Sequence, residues 1–276
     1  MKHVCYNCQK EFEGDFCPAC GQKSSVGRVN WGSVWEEVRK LGVNADSALP
    51  TIANLLWRPG HLISDYTGGR RKVCVSPVSL LLLVAVVVSL ILSLTGIGLG
   101  GDAYPEAGQF KVLARAVTWL MNNLGWGMLI LAAFLLFPTW ILFRFSPRHT
   151  RHTWPEGIFL QLFMTSLVLI FSALGAGVTP WLYWLIPVYY FIAYWQFFGY
   201  GVWGTLWRTA LVLVDGLLIV VFLLWSVMAI FGHSGTESYP VGMQIATVSI
   251  LVAFIAGTLG LGYWIGKRTA RTPAAA

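Results

Sequence analysis

The feature that most restricts how this chain can fold is a series of long apolar runs. A helix needs about 20 mostly apolar residues to cross the ~30 Å hydrocarbon core of a bilayer at about 1.5 Å per residue. Six runs meet this length, and they lie at approximately 78–99, 123–144, 157–177, 181–199, 208–231 and 244–266. The 276 residues are 56% hydrophobic and only 11% charged, against about 25% charged residues in a soluble domain. We therefore expect an all-α integral membrane protein with about six transmembrane helices.

Four cysteines near the N-terminus have the spacing of metal ligands. Cys5, Cys8, Cys17 and Cys20 form two C-x2-C pairs separated by eight residues. Two residues between cysteines let both thiolates face one ion, and two such pairs complete a tetrahedral four-sulfur shell. The spacing predicts a structural Zn²⁺ site in a small zinc-ribbon-like β-hairpin module over residues 1–26.

Disulfides and a redox pair are the alternative uses of these cysteines. Disulfides form in oxidising compartments, but residues 1–22 contain cysteines and acidic residues where a secretory signal peptide has its apolar segment. We therefore place the N-terminus in the cytoplasm. A thioredoxin-like redox pair requires a βαβ context that this sequence does not show. A closed four-thiolate site has no open position for water, so we expect the metal to stabilise the fold rather than to catalyse.

Residues 27–77 form a polar, basic juxtamembrane segment. Trp31, Val34 and Trp35 recur at three- and four-residue spacing, which predicts an amphipathic helix. The segment ends in a cluster of three cations, Arg70, Arg71 and Lys72. These cations either only fix the topology and lie against lipid, or form a specific site for an anionic headgroup or a partner, and both interpretations stay open. We expect the lipid bilayer rather than nucleic acid as the partner of this basic region.

The remaining Lys and Arg residues indicate an orientation for the membrane domain, residues 78–276. With a cytoplasmic N-terminus, the even-numbered connections and the C-terminus should be basic. Seventeen of the nineteen Lys and Arg then lie on the inner side, and only Lys111 and Arg115 lie on the outer side. The distribution predicts six spans with both termini in the cytoplasm. Between residues 110 and 120 the first outer loop is apolar at helical spacing, as in a helix that lies flat on the outer surface.

Polar residues within the predicted spans are candidates for function. Asp215 is the only acidic residue well inside a span, and it lies about two turns after Arg208 on the same helix face. An intramembrane carboxylate is a functional hypothesis by default. The structural alternative is that Asp215 contacts Arg208, Arg144 or interfacial water. Gln161 favours an interhelical hydrogen bond, and Tyr194 belongs to a tyrosine-rich stretch that lines either a cavity or packed protein.

Three further side chains lie near the inner membrane boundary. His149 and His152 are predicted to be solvated loop residues rather than metal ligands, because Glu156 is the only other metal-binding residue type nearby. Cys74, at the edge of the first span, is expected to be a small apolar residue with no special role.

A set of short motifs gives this chain a family resemblance. The set is FCPACGQ at 16–22 after a first C-x2-C pair, LWRPG at 56–60, YTGGRRK at 66–72, and Pro77 followed by a run of leucines. Together these motifs resemble a family of bacterial polytopic membrane proteins of unknown function, over roughly residues 5–95. The resemblance implies a bacterial inner-membrane protein with a metal-binding N-terminus, and it implies no activity. Gln9 departs from the family pattern, which has a glycine after the first cysteine pair.

Two function classes are compatible with these features. The leading hypothesis is a non-catalytic scaffold or regulatory protein whose zinc module and amphipathic arm contact a cytoplasmic protein partner or the lipid surface. The alternative is a small transporter or lipid-handling protein with a polar path around Asp215, Arg208 and the tyrosines. The chain has no G-x-S-x-G, Walker or H-E-x-x-H motif, which argues against an enzyme without excluding one. Homo-oligomerisation is left open.

Overall fold

The computed structural model describes residues 2–39, 47–72, 74–97, 124–149, 152–231 and 241–269. These residues form a β-hairpin, β1 (Lys2–Val4) and β2 (Glu11–Glu13), and a 3-10 turn at Pro180–Trp184. They also form nine helices: α1 (Trp31–Arg39), α2 (Ala48–Trp57), α3 (Pro59–Thr67), α4 (Pro77–Thr95), α5 (Leu124–Leu142), α6 (Trp154–Gly177), α7 (Leu185–Phe198), α8 (Val202–Phe231) and α9 (Val241–Thr269). The helix expected in the first outer loop, with Lys111 and Arg115, lies outside the described residues.

The N-terminal module is the expected β-hairpin. Strands β1 and β2 are antiparallel, with Lys2 opposite Glu13 and Val4 opposite Glu11. Its core is the single ring of Phe12 packed with the cysteine sulfurs. A core this small does not keep about twenty residues folded unless a metal or a supporting surface contributes.

Three short helices connect the module to the first long helix. Asn30 caps α1, because its side-chain oxygen accepts a hydrogen bond of 2.9 Å from the backbone N–H of Ser33. Val34 packs against the main core, whereas Trp31 and Trp35 stay 56% and 60% exposed. The amphipathic helix is therefore present, and its tryptophans face away from the protein.

Helix α3 crosses α7 at a glycine. A Cβ atom on Gly60 would lie 2.5 Å from both the carbonyl oxygen of Ala193 and the backbone nitrogen of Phe197. The backbone N–H of Gly60 also donates to the side-chain oxygen of Gln196 at 3.1 Å. Only glycine permits this contact, since no real Cβ tolerates such distances. Pro59 occupies the first helical position, where its missing N–H costs nothing.

Four helices among the described residues are long and apolar enough to cross a membrane. They are Pro77–Thr95, Trp154–Gly177, Val202–Val220 and Val248–Arg268, and they overlap the first, third, fifth and sixth predicted spans. For the second and fourth predicted spans, the structure shows a shorter apolar stretch at Ala132–Leu142 and a 14-residue α7. The chain is therefore a membrane-type helical protein, and the count of six spans stays a prediction.

Helix α6 is the centre of the helical domain. Helices α4 and α5 pack along α6, while α9 packs on α8 and α5. Buried residues make up 72% of the most apolar stretch of α6 but only 11% of that of α9. The low figure for α9 fits a helix covered by hydrocarbon rather than by protein. The short helices share this core, because Leu55 and Ile63 are buried in the same cluster as Phe159.

Candidate metal centre and its docking surface

The two C-x2-C pairs form the same backbone turn. The N–H of Gln9 donates to the carbonyl of Cys5 at 2.9 Å, and the N–H of Gly21 donates to the carbonyl of Cys17 at 2.8 Å. Both donors have a left-handed backbone, with φ of +61° at Gln9 and +68° at Gly21. Glycine adopts this conformation freely, whereas another residue pays about 1 kcal/mol. A glutamine rather than a glycine at position 9 therefore has a local conformational cost.

The four cysteine sulfurs converge on one point. All four Sγ atoms lie within 4.8 Å of one another, and the pairs Cys5–Cys20 and Cys8–Cys17 are each 3.5 Å apart. Four sulfurs bound at about 2.3 Å to a tetrahedral ion stand about 3.8 Å apart. The chain's five cysteines form no disulfide. The structure thus brings the four predicted ligands together as a cluster that can hold a metal ion.

Gln22 docks this cluster on the basic segment. Its side chain is 3% exposed, although it belongs to a small surface module. The amide nitrogen donates to the carbonyl of Gly69 at 3.0 Å, and the amide oxygen accepts from the backbone N–H of Arg71 at 3.3 Å. Gln22, directly after the second cysteine turn, therefore hydrogen-bonds the backbone of the segment before α4, in the way that a neighbouring β-strand would.

Arg71 connects three parts of the juxtamembrane segment, residues 27–77. Its guanidinium donates to the carbonyl of Gly27 at 3.3 Å and to the hydroxyl of Ser33 at 3.0 Å. It also lies over the ring of Tyr66, 5.6 Å from the centroid. One cation thus links the linker after the module, the first turn of α1, and α3.

The second glycine of the GGRRK sequence is needed for this docking. Gly69 has φ of +108°, and a Cβ there would lie 3.1 Å from the carbonyl of Gly27. On the other side of the contact, a Cβ at Gly21 would lie 3.6 Å from the amine of Lys72. A divalent ion with four thiolates has a net negative charge, so a lysine beside the cluster is electrostatically favourable.

The cations proposed to contact lipid differ in their surroundings. Arg70 is 3.4 Å from Asp65, and both side chains are about half exposed. Lys72 is exposed, whereas Arg71 is partly buried in the protein contacts described above. Headgroup contact by Arg70, Arg71 and Lys72 stays a prediction, and Arg71 has a docking role in addition.

Two carboxylates complete the attachment of the arm. Glu37 of α1 accepts hydrogen bonds from the hydroxyl of Tyr66 and, at 2.7 Å, from the hydroxyl of Ser76. Burial raises the pKa of Glu37 above its usual range despite these donors. Arg28 forms an ion pair with Glu156 in the first turn of α6. The arm is therefore held at α3, at the start of α4 and at the start of α6.

The two histidines near this ion pair pack against aromatic rings, with His149 partly buried and His152 buried, so the prediction that both are solvated loop residues is wrong. The ring of His149 stacks on Phe197 with 4.2 Å between centroids, and its Nε2 lies 3.2 Å from the hydroxyl of Ser64. His152 is 5% exposed and packs edge-on against Phe198. Burial lowers the pKa of His152 to about 4. The loop folds back on α7, which a reading of local polarity does not reveal.

Gln161 and Tyr194 lie together inside the helical domain. The amide nitrogen of Gln161 donates to the hydroxyls of Tyr194 and Thr139, each at 2.9 Å. These two hydroxyls are themselves 3.0 Å apart. All three residues are buried, so the triangle joins α5, α6 and α7 by the interhelical hydrogen bonds expected of Gln161.

Arg208 and Asp215 make separate contacts, although they lie on one helix. The guanidinium of Arg208 donates to the carbonyls of Leu142 and Gly204 at 3.1 and 2.7 Å. It also lies 4.0 Å from the ring centroid of Tyr200. Asp215 is fully buried and accepts a 2.8 Å hydrogen bond from Thr258 of α9. The structure therefore does not join these two residues to Gln161 and Tyr194 in one polar site.

Sequence reasoning missed several residues that position the module. They are Gln22, Arg28, Glu37 and Glu156. For Glu156 a signal was available, since Thr153 and Glu156 form a capping box at the start of α6. Gln22 ends the FCPACGQ motif, but the motif did not show which residues it contacts. Arg28 and Glu37 stand in no recognisable pattern, because their partners are distant in sequence.

The fold and the cysteine cluster define a class of protein: a membrane-type helical domain with a small cysteine module that can hold a metal ion, docked against its short helices. A family model described as a protein of unknown function (DUF3667) matches residues 49–88. The match covers α2, α3, the GGRRK sequence and the first part of α4, and thus the surface that receives the module. No curated protein and no solved structure matches the chain.

Proposed function

We propose that this chain is a six-span bacterial inner-membrane protein with both termini in the cytoplasm and a structural zinc site. The seventeen-to-two distribution of basic residues supports the orientation. The 3-10 turn Pro180–Trp184 followed by α7 supports the fourth span, since 5 residues at about 2.0 Å and 14 at about 1.5 Å rise about 31 Å. Helix α5, with 19 residues, rises about 28 Å and supports the second.

A fusion test addresses this topology. Green fluorescent protein fused to the C-terminus should fluoresce, and alkaline phosphatase fused at the same site should be inactive. The reverse pattern would exclude an even number of spans combined with a cytoplasmic N-terminus.

Four thiolates in a closed shell favour Zn²⁺ over harder ions. We propose that the metal stabilises the module and has no catalytic role. The purified protein should contain one zinc ion per chain by metal analysis. A protein with full thermal stability and no bound metal would contradict this assignment.

The role we propose is that of a non-catalytic scaffold that presents the zinc module to a cytoplasmic protein partner. The observation that supports it is the Gln22 contact with Gly69 and Arg71, which holds the module in a fixed position at the membrane boundary. A module that only needed to be tethered would require no such buried contact. Three apolar side chains stay exposed on the docked module, namely Val4 at 54%, Tyr6 at 50% and Phe16 at 61%. Exposed apolar groups on a module this small favour a protein contact.

Co-purification from gently solubilised membranes tests the scaffold. The wild-type protein should recover a stoichiometric partner, and the double variant Cys17→Ser, Cys20→Ser should lose both the metal and the partner. Phe16→Ala removes only an exposed ring, so it should keep the zinc and lose the partner. Recovery of the bare protein in every case would defeat the proposal.

The transporter alternative has less structural support within the described residues. Asp215 and Gln161 each form a hydrogen bond between helices, although Oδ2 of Asp215 and Oε1 of Gln161 have no hydrogen-bond partner among the described residues. The two large cavities described in the structure have almost entirely apolar walls. A polar substrate path would need a wet, polar-lined cavity at one of these residues.

A further inference from the structure

The described residues include an apolar cavity of about 690 Å³ between α5, α8 and α9. Its walls include Ile141 of α5, Ile219 of α8, and the stretch of α9 from Val252 to Tyr263. At about 1.5 Å per residue this stretch is about 16 Å long, which is roughly half of a ~30 Å hydrocarbon core. The cavity therefore has the depth of one lipid leaflet.

Aromatic rings lie at one end of this cavity. Trp140 and Tyr263 are part of its wall, and Tyr263 contacts the ring of Phe145 at 5.3 Å between centroids. Amphipathic rings at this level are typical of the boundary between hydrocarbon and headgroups. A Cβ at Gly266 would lie 3.2 Å from Phe145, so the last turn of α9 packs beside the end of α5.

Three cations lie at the same ends of α5 and α9 as these rings. Arg144 lies over Trp140, with its guanidinium carbon 4.5 Å from the ring centroid, and Arg268 lies over Trp264 at 3.9 Å. Lys267 lies about one helical turn after the wall residue Tyr263, and all three cations are exposed. Within the part of the chain that the structure describes, none of the three forms an ion pair with a carboxylate. This end of the apolar cavity thus has three positive charges that no carboxylate of the described residues pairs with.

We infer that this cavity binds one anionic phospholipid. An acyl chain occupies the space between α5, α8 and α9, and the phosphate lies against Arg144, Lys267 and Arg268. Basic groups beside a crevice between transmembrane helices favour anionic headgroups, and each cation near the headgroup layer strengthens binding. A zwitterionic lipid would fill the crevice equally well but would gain less from the cations. Assignment to the inner leaflet rests on the proposed orientation of the chain, whereas binding itself does not.

Two glycines of α9 offer a matched pair of variants. Gly260 contributes to the wall of the cavity, whereas Gly257, three residues earlier on the same helix, does not. A Cβ at either position meets no atom within 4 Å, so both sites accept a larger side chain. Gly260→Phe should place a ring inside the cavity and obstruct it, and Gly257→Phe should add the same bulk outside it.

Native mass spectrometry of the full-length protein in detergent, titrated with dioleoyl phosphatidylglycerol or dioleoyl phosphatidylcholine, tests the site. The wild type and Gly257→Phe should retain one phosphatidylglycerol, with about tenfold or more preference over phosphatidylcholine, and Gly260→Phe should lose that molecule. The triple variant Arg144→Gln, Lys267→Gln, Arg268→Gln should bind both lipids alike. The triple variant Lys2→Gln, Lys10→Gln, Lys23→Gln removes the same charge from the zinc module and should keep the preference.

Several outcomes would overturn the inference. Equal retention of phosphatidylglycerol by Gly260→Phe and Gly257→Phe would exclude the cavity as the site. An unchanged preference in the Arg144 triple variant would exclude the three cations. A wild-type dimer that becomes monomeric in Gly260→Phe, with no bound lipid, would show that a second copy covers this face. Loss of the protein partner in the scaffold experiment would leave all of these results unaffected.

Discussion

Because His152 is buried in its neutral form, we expect the stability of the protein to fall in mild acid. Burial lowers its pKa to about 4, whereas an unfolded histidine titrates near 6.5. The unfolded chain therefore binds a proton over a pH range in which the folded chain does not. The stabilisation is complete above a pH of about 6.5, and it is lost as the pH falls towards about 4. At about 1.4 kcal/mol for each pH unit, the loss amounts to about 3 kcal/mol.

The charged groups around His152 act in opposite directions. Glu156 favours the protonated ring, whereas His149 and Arg28 disfavour it, and burial has the largest effect. A variant that cannot be protonated at position 152 isolates the part of the acid-dependent loss of stability that comes from His152. His152→Phe does this and keeps a ring against Phe197 and Phe198.

Thermal unfolding in detergent between pH 7.5 and pH 4.5 measures the effect. For a chain of this size, about 3 kcal/mol corresponds to a change in Tm of about 5–10 °C. The Tm of the wild type should fall by that much more than the Tm of His152→Phe. His61 is exposed on α3, so His61→Phe should behave as the wild type does. Parallel curves for the wild type and His152→Phe would refute the reasoning.

Substitutions at three further residues test individual contacts. Gln9→Gly should relieve a left-handed backbone, stabilise the module by about 1 kcal/mol, and raise the chelator concentration needed to remove the metal; an unchanged concentration would contradict this. Gln22→Leu leaves the Gly69 carbonyl and the Arg71 backbone N–H unpaired, at a cost of about 2 kcal/mol. It should therefore speed tryptic cleavage between the module and α1. A wild-type cleavage rate would argue against docking. Asp215→Asn keeps an oxygen acceptor for the neighbouring α9 hydroxyl and should preserve Tm, whereas Asp215→Leu should lower it; equal Tm values would mean that this hydrogen bond does not hold α8 to α9.

Local patterns in the sequence revealed the cysteine cluster and the long apolar helices. The two C-x2-C pairs predicted the cluster because a metal shell requires a fixed number of ligands at short spacing. All four cysteines lie within the first twenty residues. The apolar runs succeed because hydrocarbon imposes a minimum length on any helix that crosses it. The three- and four-residue spacing around Trp31 predicted α1, because apolar residues at that spacing share one face of a helix. The spacing did not show that the tryptophans face outwards.

Contacts between distant segments could not be predicted from local pattern. Gln22 pairs with residues 47 and 49 positions away, so its place at the end of the FCPACGQ motif did not reveal that its side chain is buried. His152 looked solvated because it lies between polar residues, yet the chain folds it against aromatic rings of α7. Arg208 and Asp215 share a helix face by spacing, but the carbonyl of Leu142 and the hydroxyl of Thr258 offer each a nearer partner.

The buried amide contact between Gln22 and the GGRRK sequence has a consequence for how related sequences vary. The Gln22 side chain forms with the backbone of Gly69 and Arg71 the hydrogen bonds that a neighbouring strand would form. These bonds stabilise the docking only while the cysteine turn before Gln22 is present. A homologue that has lost the four cysteines should therefore be free to lose the glutamine, and the positive-φ glycine opposite it should then tolerate a side chain. Among related sequences, the glutamine at position 22 and the glycine at position 69 should therefore be conserved together or lost together.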